Sequence, residues 1–511
     1  DRSRFSPVAA LFGYTNLGVI HYKSYARAEL EGGIAESWQQ VDPTTTVLKV
    51  RPNLFWHDTP PVNGRAANAQ DIVKFLERNR AGKLLDGTDD PNFYRKALYA
   101  KVDSVTAPDN MTVQVKFSSP DPFFLESLCG AYAKVQAPEA VDAFEKDYQN
   151  LSADKIIGTG GFVLTEFAAE GSSKLVRHDK FYTDVWLDGI DFVPLFTDQA
   201  AQQAAFEQKQ LDSFGPTQKA VIDDLDNRLK GKIVDAKYFA ANPQAGTYFG
   251  GAAPWNNKNL IGAIFKAFDR RAIIQSVLQG QAVLSGNVPP AQQAFTLEEK
   301  ELVLLEGYRE DRAKEETEAR QMWEAGGGPA LGDVIVDIPD IYEGLYSGVS
   351  AVITNQLKKV LGNNFVAKIE PYSTITTKIV QQKYGGSGGA NIWFGWISDL
   401  QGLDPSQLNY LSYNSQSPQF FQFNVKNDEV DRVTAAAFAE FDQNKRKELS
   451  KQFVKLAAQD WGLGIPYTLD GVVTVLTWNY YHYREVAPFV ITHMTATGSY
   501  IDPSDPTFQG R

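Results

Sequence analysis

The sequence predicts a protein of the α/β or α+β class that folds as more than one lobe. Alternating apolar and polar residues early in the chain predict half-buried strands, and beyond residue 330 strands alternate with helices as in a βαβ sheet. The chain has 511 residues. Since a typical domain has about 150 residues, we expect roughly three core-forming units.

The first half of the chain supplies clear strand and helix signals. Residues 47–51 and 111–117 alternate apolar and polar side chains, which predicts two half-buried strands. Residues 68–78 place their apolar side chains on one helical face, and Asn68 is a suitable cap for the start of that helix.

Two longer helices are predicted in the middle of the chain, at 260–278 and at 298–325. The second ends at Gly-Gly-Gly-Pro, residues 326–329, which is a stop signal made of glycine and proline. Charges of both signs alternate along 309–320 at helical spacing, so we interpret this run as a solvated helix face.

The last third of the chain alternates strands and helices. This order favours a sheet with parallel strands. The predicted elements are strands at 334–338, 366–370 and 391–396, helices at 349–361 and 375–383, and a helical stretch at 429–458 that is broken around 443–444.

Composition excludes several functional classes. Lys and Arg number 50 against 62 Asp and Glu, so the net charge is −12 and the surface repels nucleic acid over most of its area. No apolar run reaches the 18 or so residues that span a bilayer, so we do not expect an integral membrane protein. The 31 Phe, 22 Tyr and 9 Trp supply ample apolar area for folded cores.

Cysteine usage favours an extracytoplasmic protein. Cys129 is the only cysteine, which excludes an intrachain disulfide and cysteine-rich metal sites. The N-terminal residues show no basic start followed by an apolar core. We therefore expect a periplasmic protein whose signal peptide has been removed, with a cytoplasmic protein as the alternative.

One catalytic motif matches by sequence alone. Residues 385–389 (Gly-Gly-Ser-Gly-Gly) fit the G-x-S-x-G pattern of serine hydrolases, which requires Ser387 on a sharp turn between a strand and a helix. The preceding residues 378–384 have a helical pattern, and four glycines around one serine are typical of a flexible loop. We therefore expect a loop and no enzyme, with a hydrolase using Ser387 as an alternative.

Signals for metals and nucleotides are weak. The five histidines are widely separated and none has a metal-ligand spacing, so His57 is expected to be structural. Residues 158–161 (Gly-Thr-Gly-Gly) lack the third glycine of a dinucleotide fingerprint and the lysine of a P-loop. We accordingly expect no metal and no cofactor.

A series of short motifs runs along the chain in a fixed order. They are 33–38 (GIAESW), 42–45 (DPTT), 48–58 (LKVRPNLFWHD), Gly64, 69–73 (AQDIV), 157–162 (IGTGGF), 267–274 (AFDRRAII), Gly280, 289–290, 442–449 and 465–467 (IPY). In this order they resemble the signature regions of family 5 extracytoplasmic solute-binding proteins, the peptide, opine and nickel receptors of ABC importers. Residues 157–162 are similar to the family's "GTGPY" turn, with Gly161 in place of the usual proline.

The resemblance implies an α/β, two-lobed periplasmic-binding-protein (Venus-flytrap) fold in which one lobe carries an extra domain. Mapped onto this chain, the first lobe comprises 1–35, 156–245 and 471–511, the extra domain 36–155, and the second lobe 246–470. Such a fold implies a hinge that closes on a ligand and is stabilised by it.

The ligand contacts implied by the resemblance include the end of the strand at 391–396. In peptide-binding members, an Asp shortly after a Gly-Trp pair holds the ligand's ammonium group, and Asp399 occupies that place here. Trp396 offers an aromatic face for stacking, and Ser398 is a hydrogen-bond donor for an anionic ligand.

The stretch after the strand at 334–338 weakens the dipeptide hypothesis. Dipeptide receptors carry an Arg there for the ligand carboxylate, whereas residues 339–343 hold two acidic side chains and no Arg or Lys. We expect Tyr342 to be a hydrogen-bonding or stacking contact instead.

Neutral polar groups near the N-terminus complete the predicted site. Tyr14 and Asn16 lie where family members line the cleft and suit a hydroxyl-rich ligand. The sequence thus predicts a monomeric, non-catalytic receptor that delivers a polar organic solute to a membrane ABC permease and binds no nucleic acid. An opine or sugar conjugate, of the kind that agrocinopine receptors bind, is the first ligand hypothesis, and an oligopeptide is the alternative.

Overall fold

The computed structural model divides the chain into two compact units. The first comprises Asp1–Pro216, Asp223–Ala236 and Thr474–Arg511, and the second comprises Thr217–Ile222 and Lys237–Val473. The structure describes residues 6–24, 29–90, 93–129, 133–148, 152–168, 172–192, 199–216, 218–239, 245–288, 290–346, 348–362, 364–381, 383–396, 404–417, 426–460, 465–466, 472–482 and 497–508.

Helices and strands alternate along the described residues. The helices are α1 Ser6–Thr15, α2 Ala69–Ala81, α3 Phe124–Ser127, α4 Pro138–Phe144, α5 Gln199–Glu207, α6 Lys219–Arg228, α7 Lys258–Ala267, α8 Arg270–Ser276, α9 Glu299–Leu302, α10 Arg312–Ala325, α11 Asp340–Leu345, α12 Val349–Leu361, α13 Tyr372–Val380, α14 Ser406–Tyr413, α15 Asp428–Ala439 and α16 Gln443–Gln459. The strands are β1 Ile20–Ser24, β2 Glu29–Gly32, β3 Ala35–Asp42, β4 Thr45–Val50, β5 Val102–Asp109, β6 Thr112–Phe117, β7 Phe162–Glu166, β8 Ser173–Arg177, β9 Gly189–Phe192, β10 Ser213–Phe214, β11 Ile233–Phe239, β12 Ala245–Tyr248, β13 Val334–Pro339, β14 Phe365–Glu370, β15 Ile392–Trp396, β16 Ile465–Pro466, β17 Val472–Trp478, β18 Tyr481–His482 and β19 Tyr500–Ile501.

Small sheets build the first unit. The largest has four strands in the order β3-β4-β6-β5, and Leu48 of β4 pairs with Val113 of β6 in antiparallel register. Both side chains are fully buried, as the alternating patterns at 47–51 and 111–117 predict. Three-stranded sheets form in the orders β7-β8-β9 and β10-β17-β11, and β1-β2 and β18-β19 are two-stranded.

Helix α2 confirms the cap predicted at Asn68. The Asn68 side chain accepts a hydrogen bond from the Gln70 amide at 2.9 Å, and the Asp71 carboxylate accepts one from the Asn68 amide at 2.9 Å. This reciprocal pair is a capping box, which satisfies amide groups that the first helical turn leaves without partners.

A five-stranded mixed sheet organises the second unit, in the order β14-β13-β15-β12-β16. Strand β13 runs parallel to both β14 and β15, whereas β12 pairs antiparallel with β15 and β16. Helix α12 coincides with the predicted helix at 349–361 and packs against β14 and α7. The predicted alternation of strands and helices in this part of the chain is confirmed.

Both long helices predicted in the middle of the chain are interrupted. Helices α7 and α8 separate at Phe268, whose backbone is extended, because the Asp269 side chain accepts the Ala272 amide and caps a new helix. Helices α9 and α10 separate around Gly307, whose φ of 78° lies in the left-handed region. Predicting one continuous helix at 260–278 and at 298–325 was therefore wrong.

Candidate functional site

The predicted contacts near the N-terminus lie at the end of α1, in a buried polar cluster. Tyr14 is 7% exposed, and Thr15 and Asn16 are fully buried. The Asn16 amide nitrogen donates to the carbonyl oxygens of Val135 (3.1 Å) and Ile157 (3.3 Å), and its Oδ1 accepts from the Thr15 hydroxyl at 2.7 Å. Asn16 therefore ties the end of α1 to two distant segments of the first unit.

A turn formed by residues 158–161, here called the glycine turn, lies directly against this segment. The Gly160 amide donates to the Thr15 carbonyl at 2.8 Å. A Cβ at Gly158 would lie 1.8 Å from the Thr15 carbonyl oxygen, and a Cβ at Gly160 would lie 2.4 Å from that of Tyr14. Since real Cβ atoms do not approach oxygen so closely, the close backbone approach requires glycine at both positions.

Two buried histidines hold the glycine turn from the other side. The Nδ1 atom of His57 accepts the Gly158 amide at 3.2 Å, so the neutral ring carries its hydrogen on Nε2 and donates to the Gly160 carbonyl at 3.2 Å. The same carbonyl lies 3.1 Å from Nδ1 of His178. The two rings meet edge to face, with their centroids 4.9 Å apart.

Burial keeps both histidines neutral. Desolvation lowers the pKa of His57 from 6.5 to about 3, and proximity to His178 adds to this effect. Desolvation also lowers the pKa of His178. His57 is therefore a structural residue, as predicted, but its link to the glycine turn spans about 100 positions of sequence and leaves no local sequence pattern.

One polar atom of the glycine turn lacks a hydrogen-bond partner among the described residues. The Thr159 side chain is fully buried, and its hydroxyl has no such partner there. Buried hydroxyl groups are normally hydrogen-bonded, so this atom is a candidate for contact with water or ligand. In the sequence, nothing sets Thr159 apart from the rest of the Gly-Thr-Gly-Gly pattern.

Tyr14 packs its ring among aromatic side chains. Its centroid lies 6.3 Å from that of Phe162 and 5.2 Å from that of Phe192, both edge to face. Burial, reinforced by the nearby Tyr481, raises the pKa of the Tyr14 hydroxyl, which therefore stays protonated. The structure thus brings Tyr14 and Asn16 into one cluster, and their role as ligand contacts stays a prediction.

The other predicted contacts belong to the second unit, at one edge of its sheet. Strands β13 and β15 are parallel, so their carboxyl ends, Pro339 and Trp396, lie at the same edge. Ligands of α/β proteins commonly bind at such an edge. The Trp396 backbone pairs with Ala245, and Ser398 and Asp399 lie outside the described residues, as does the Trp396 side chain.

Tyr342 lies beside this edge, in the apolar core. Its side chain is fully buried, and its ring meets Phe394 of β15 edge to face at a centroid distance of 4.8 Å. Tyr346 stacks on it at 6.1 Å. The structure therefore joins Tyr342 to the strand that carries Trp396, through a side chain two positions earlier.

Strand β13 also carries an ionic cluster whose central carboxylate is buried. Asp337 of β13 is 1% exposed, and its carboxylate accepts from Lys378 Nζ at 2.8 Å and from the Tyr384 hydroxyl at 3.0 Å. Lys378 also pairs with Glu370. Ionic contacts with Asp337 and Glu370 raise the pKa of Lys378 against the opposing effect of burial, so the lysine stays charged.

The two acidic residues after β13, Asp340 and Glu343, have different surroundings. The Glu343 carboxylate accepts the amides of Gly348 (2.7 Å) and Ser350 (3.2 Å), at the start of α12. It therefore satisfies the N-terminus of that helix, where negative charge is stabilising. Asp340 is exposed and lies in the first turn of α11.

A family model for bacterial extracellular solute-binding proteins, family 5, matches residues 29–419 of the chain. The chain belongs to this family. The family resemblance inferred from the sequence is thereby confirmed.

Individual relatives of this family 5 protein are distant. It is 26% identical over 300 residues to the peptide transport periplasmic protein SapA of Salmonella typhimurium. This match covers 56% of this chain and 52% of SapA. It is 24% identical over 367 residues to the oligopeptide-binding protein OppA of Bacillus subtilis, covering 68% of this chain and 62% of OppA. The matches thus span between half and two thirds of these relatives.

Similarity of structure extends over nearly the whole family 5 chain. The periplasmic binding protein DppA from Helicobacter pylori, in complex with the peptide STSA, superposes with a TM-score of 0.77 at 16% identity and covers 98% of this chain and 94% of DppA. At that identity the likeness concerns the fold. It confirms the predicted α/β fold class of two-lobed periplasmic binding proteins.

The family motif around Arg446 anchors the chain just beyond the predicted ligand residues. Arg446 is 5% exposed, and its Nε donates to the fully buried Asp404 carboxylate at 2.6 Å. Its Nη1 donates to the carbonyls of Glu440 (2.9 Å) and Phe441 (3.0 Å). The ion pair thus holds Asp404, which follows Ser398 and Asp399 in sequence.

The alternative catalytic motif of the family 5 protein has a different local structure from a nucleophile elbow. Ser387 lies in a short 3₁₀ turn, Gly386–Gly388, that follows α13 and precedes β15. An elbow requires a strand before the serine and a helix after it. Here a helix precedes the serine and a strand follows it, which is the reverse order.

Among the described residues, no group of three or more His, Cys, Asp or Glu is arranged to hold a metal ion. No described helix combines the length and the apolar character that crossing a membrane requires.

Proposed function

We propose that the protein is the periplasmic, non-catalytic receptor of an ABC importer, which binds a polar organic solute and delivers it to the membrane permease. The match of the family model to residues 29–419 carries this proposal. The periplasmic protein SapA and the oligopeptide-binding protein OppA, both relatives of this chain, support it. A monomer is expected, and the division into 1–35, 156–245 and 471–511, 36–155, and 246–470 stays a prediction.

The ligand class that the relatives favour is a short peptide. SapA is a peptide transport protein, OppA is an oligopeptide-binding protein, and the DppA structure holds a tetrapeptide. We propose that Asp399 pairs with the peptide ammonium group and that Trp396 stacks on a ligand side chain. Ser398, Tyr342, Tyr14 and Asn16 are proposed as further contacts through hydrogen bonds or aromatic faces.

The acidic stretch after β13 does not oppose a peptide as strongly as the sequence suggested. Glu343 is held by two amides of α12, so its charge is already compensated within the protein. Asp340, the other carboxylate of this stretch, is exposed to solvent, which screens its charge. A peptide whose carboxylate is bound by backbone amides or through water is therefore compatible with residues 339–343.

An opine or sugar conjugate is the second candidate ligand. The observation that favours it is the absence of Arg and Lys from residues 339–343, where dipeptide receptors of the family carry an Arg for the ligand carboxylate. A hydroxyl-rich ligand needs neutral hydrogen-bonding partners, which Tyr14, Asn16 and Tyr342 supply.

Identification of the ligand that the protein carries tests both candidates. The protein is purified without refolding and denatured, and the released small molecules are analysed by mass spectrometry. The candidates are then added back, because a ligand at 100 times its dissociation constant stabilises the folded state by about 2.7 kcal/mol. Peptides favour the first proposal and opines or sugar conjugates the second. No stabilisation by either class would contradict the receptor proposal.

The serine hydrolase alternative has a separate test. Wild type and Ser387→Ala are compared for turnover of p-nitrophenyl esters and for ligand binding. We expect no turnover by either protein and equal binding, because the serine does not occupy a strand-to-helix elbow. Ester turnover that Ser387→Ala abolishes would favour catalysis.

A further inference from the structure

The polar network around the glycine turn connects two buried histidines to the predicted ligand contacts at the end of α1. His57 holds the turn through three hydrogen bonds: its backbone amide donates to the Gly158 carbonyl at 2.8 Å, and both ring nitrogens engage the turn at 3.2 Å. The glycine turn also holds Thr15, because the Gly160 amide donates to the Thr15 carbonyl. His57 is therefore two steps removed from Tyr14 and Asn16.

We propose that His57 is a positioning residue for Tyr14, Thr15 and Asn16, and that protonation of the His57–His178 pair releases these three residues from the glycine turn. The proposal rests on the proposed function for its ligand contacts. It adds that pH regulates the predicted contacts through His57 and His178, which are not themselves proposed to touch the ligand.

The geometry shows why one proton has this effect. Nδ1 of His57 accepts the Gly158 amide, so a proton on that nitrogen makes it a donor that faces the amide donor and removes the bond. The added charge lies in a fully buried site, 4.9 Å from the second imidazole ring between centroids. Since an unpaired buried charge is costly, the protonated pair favours an opened turn.

The close packing of backbone on backbone transmits the opening. The Cβ positions of Gly158 and Gly160 would lie within 2.4 Å of the carbonyl oxygens of Thr15 and Tyr14, so no space separates the turn from the end of α1. The Asn16 amide nitrogen also donates to Ile157, immediately before the turn. Displacing the turn therefore breaks contacts of all three residues.

Among the described residues, the charged groups that act on His178 are its two neighbours along the chain. Asp179 and Lys180 flank His178 along the chain, and their effects on it are opposite, since the lysine disfavours a proton and the aspartate favours it. Tyr14, on the α1 side of the turn, stays protonated because burial raises its pKa. Burial lowers the pKa of both histidines, which agrees with a closed turn at neutral pH.

Hydrogen exchange of the ligand-free protein tests the proposal. Protection of peptides covering 12–18 and 156–162 is measured at pH 7 and pH 4.5, corrected for the intrinsic pH dependence of exchange, with peptides from β4 and β6 as internal reference. We expect protection at both sites to fall by about 10- to 100-fold more than the reference, because the open turn takes up a proton more readily. His57→Gln leaves His178 as the one member of the pair that can be protonated, so it should reduce this extra loss at least severalfold.

Substitution provides a second arm at constant pH. His57→Phe keeps a ring but removes the two hydrogen bonds that the imidazole makes to the turn, so hydrogen exchange at 12–18 should rise by about tenfold. His57→Gln has both an acceptor and a donor, so it should restore much of the protection. The matched control is His482→Phe in the same unit, where the histidine stacks on Tyr500 at 4.6 Å. The control should leave exchange at 12–18 unchanged.

Binding of the tetrapeptide Ser-Thr-Ser-Ala, measured by calorimetry, separates this proposal from the proposed function. Loss of affinity in His57→Phe with rescue in His57→Gln supports the positioning role. No binding by wild type contradicts a peptide receptor for this probe but leaves the exchange result decisive. Equal protection at 12–18 in wild type and His57→Phe, or no extra loss at pH 4.5, overturns the inference. If His57→Phe does not fold, the pH comparison between wild type and His57→Gln decides.

Discussion

A buried lysine in the first unit gives a sharp prediction about stability. Lys134 is 6% exposed and pairs with Gly18 in an isolated β-bridge, and burial lowers its pKa from 10.5 to about 8, with a smaller opposing effect from Cys129. At pH 7 the lysine is charged both folded and unfolded. We predict that Lys134→Met stabilises the protein, because methionine keeps the unbranched chain and removes the buried charge.

The magnitude follows from the difference between the two pKa values. A pKa difference of one corresponds to about 1.4 kcal/mol, so a fall from 10.5 to about 8 makes the charged lysine cost about 3 kcal/mol of folding free energy below pH 8. Since the unfolded chain binds this proton more tightly, wild-type stability rises with pH between 8 and 10.5. The advantage of Lys134→Met should shrink to about half of its pH 7 value at pH 9.5.

Urea denaturation at pH 7 and pH 9.5 measures this difference. Lys146→Met, at an exposed lysine of the same unit, is the matched control and should change stability by less than about 0.5 kcal/mol at either pH. A destabilised Lys134→Met, or an advantage that does not depend on pH, would refute the reasoning. The first result would mean that the ammonium group makes bonds worth more than its desolvation.

Three further predictions concern other parts of the molecule. Arg446→Met leaves the buried Asp404 carboxylate without its cation and should cost about 3–5 kcal/mol in urea denaturation, whereas a loss below about 1 kcal/mol would contradict a buried ion pair. Gly160→Ala should destabilise by about 2 kcal/mol or more, and Gly215→Ala, where the nearest atom to a Cβ lies at 3.9 Å, by much less; equal effects would argue against the close approach. Trp396→Ala and Asp399→Ala should each weaken ligand binding by about 1–3 kcal/mol in calorimetry with little change in ligand-free melting, and unchanged affinity in both would show that the predicted contacts are misplaced.

Periodicity predicted those elements in which one face is buried and local signals mark the ends. Helix α12 matches the predicted 349–361. The break predicted around 443–444 is found slightly earlier, at 440–442 between α15 and α16, because Asp442 caps the new helix through the amides of Asn444 and Lys445. These features depend on residues only a few positions apart. A single sequence therefore carries the information needed.

The breaks at Phe268 and Gly307 depend instead on tertiary contacts. Arg270, 3% exposed, donates to the Gly307 carbonyl at 2.7 Å and stacks on the rings of Phe265 and Tyr308. One buried cation thus joins the two interruptions across 37 positions of sequence. Apolar residues continue at helical spacing through the first break, so the hydrophobic pattern shows no interruption there.

The candidate site shows the same division between local and distant information. Family resemblance proposed Tyr14, Asn16 and Tyr342, and all three side chains are buried. The contacts that hold Asn16 come from residues 119 and 141 positions away, and no spacing rule reveals such partners. The pattern Gly-Thr-Gly-Gly at 158–161 is visible in the sequence. The reason for its glycines is close packing against the carbonyls at the end of α1, which is a tertiary contact that the sequence does not show.

The same packing explains why a histidine suits position 57 physically. Two backbone groups of the glycine turn, the Gly158 amide and the Gly160 carbonyl, need one acceptor and one donor within a buried site. A neutral imidazole supplies both in a rigid ring, whereas a lysine or a carboxylate would bring a charge that burial penalises. Burial keeps this imidazole neutral in the closed turn, but its pKa returns toward the ordinary value of about 6.5 once the turn opens, so mild acid favours the open turn. Order at the end of α1 and sensitivity to acidity therefore follow from one choice of side chain.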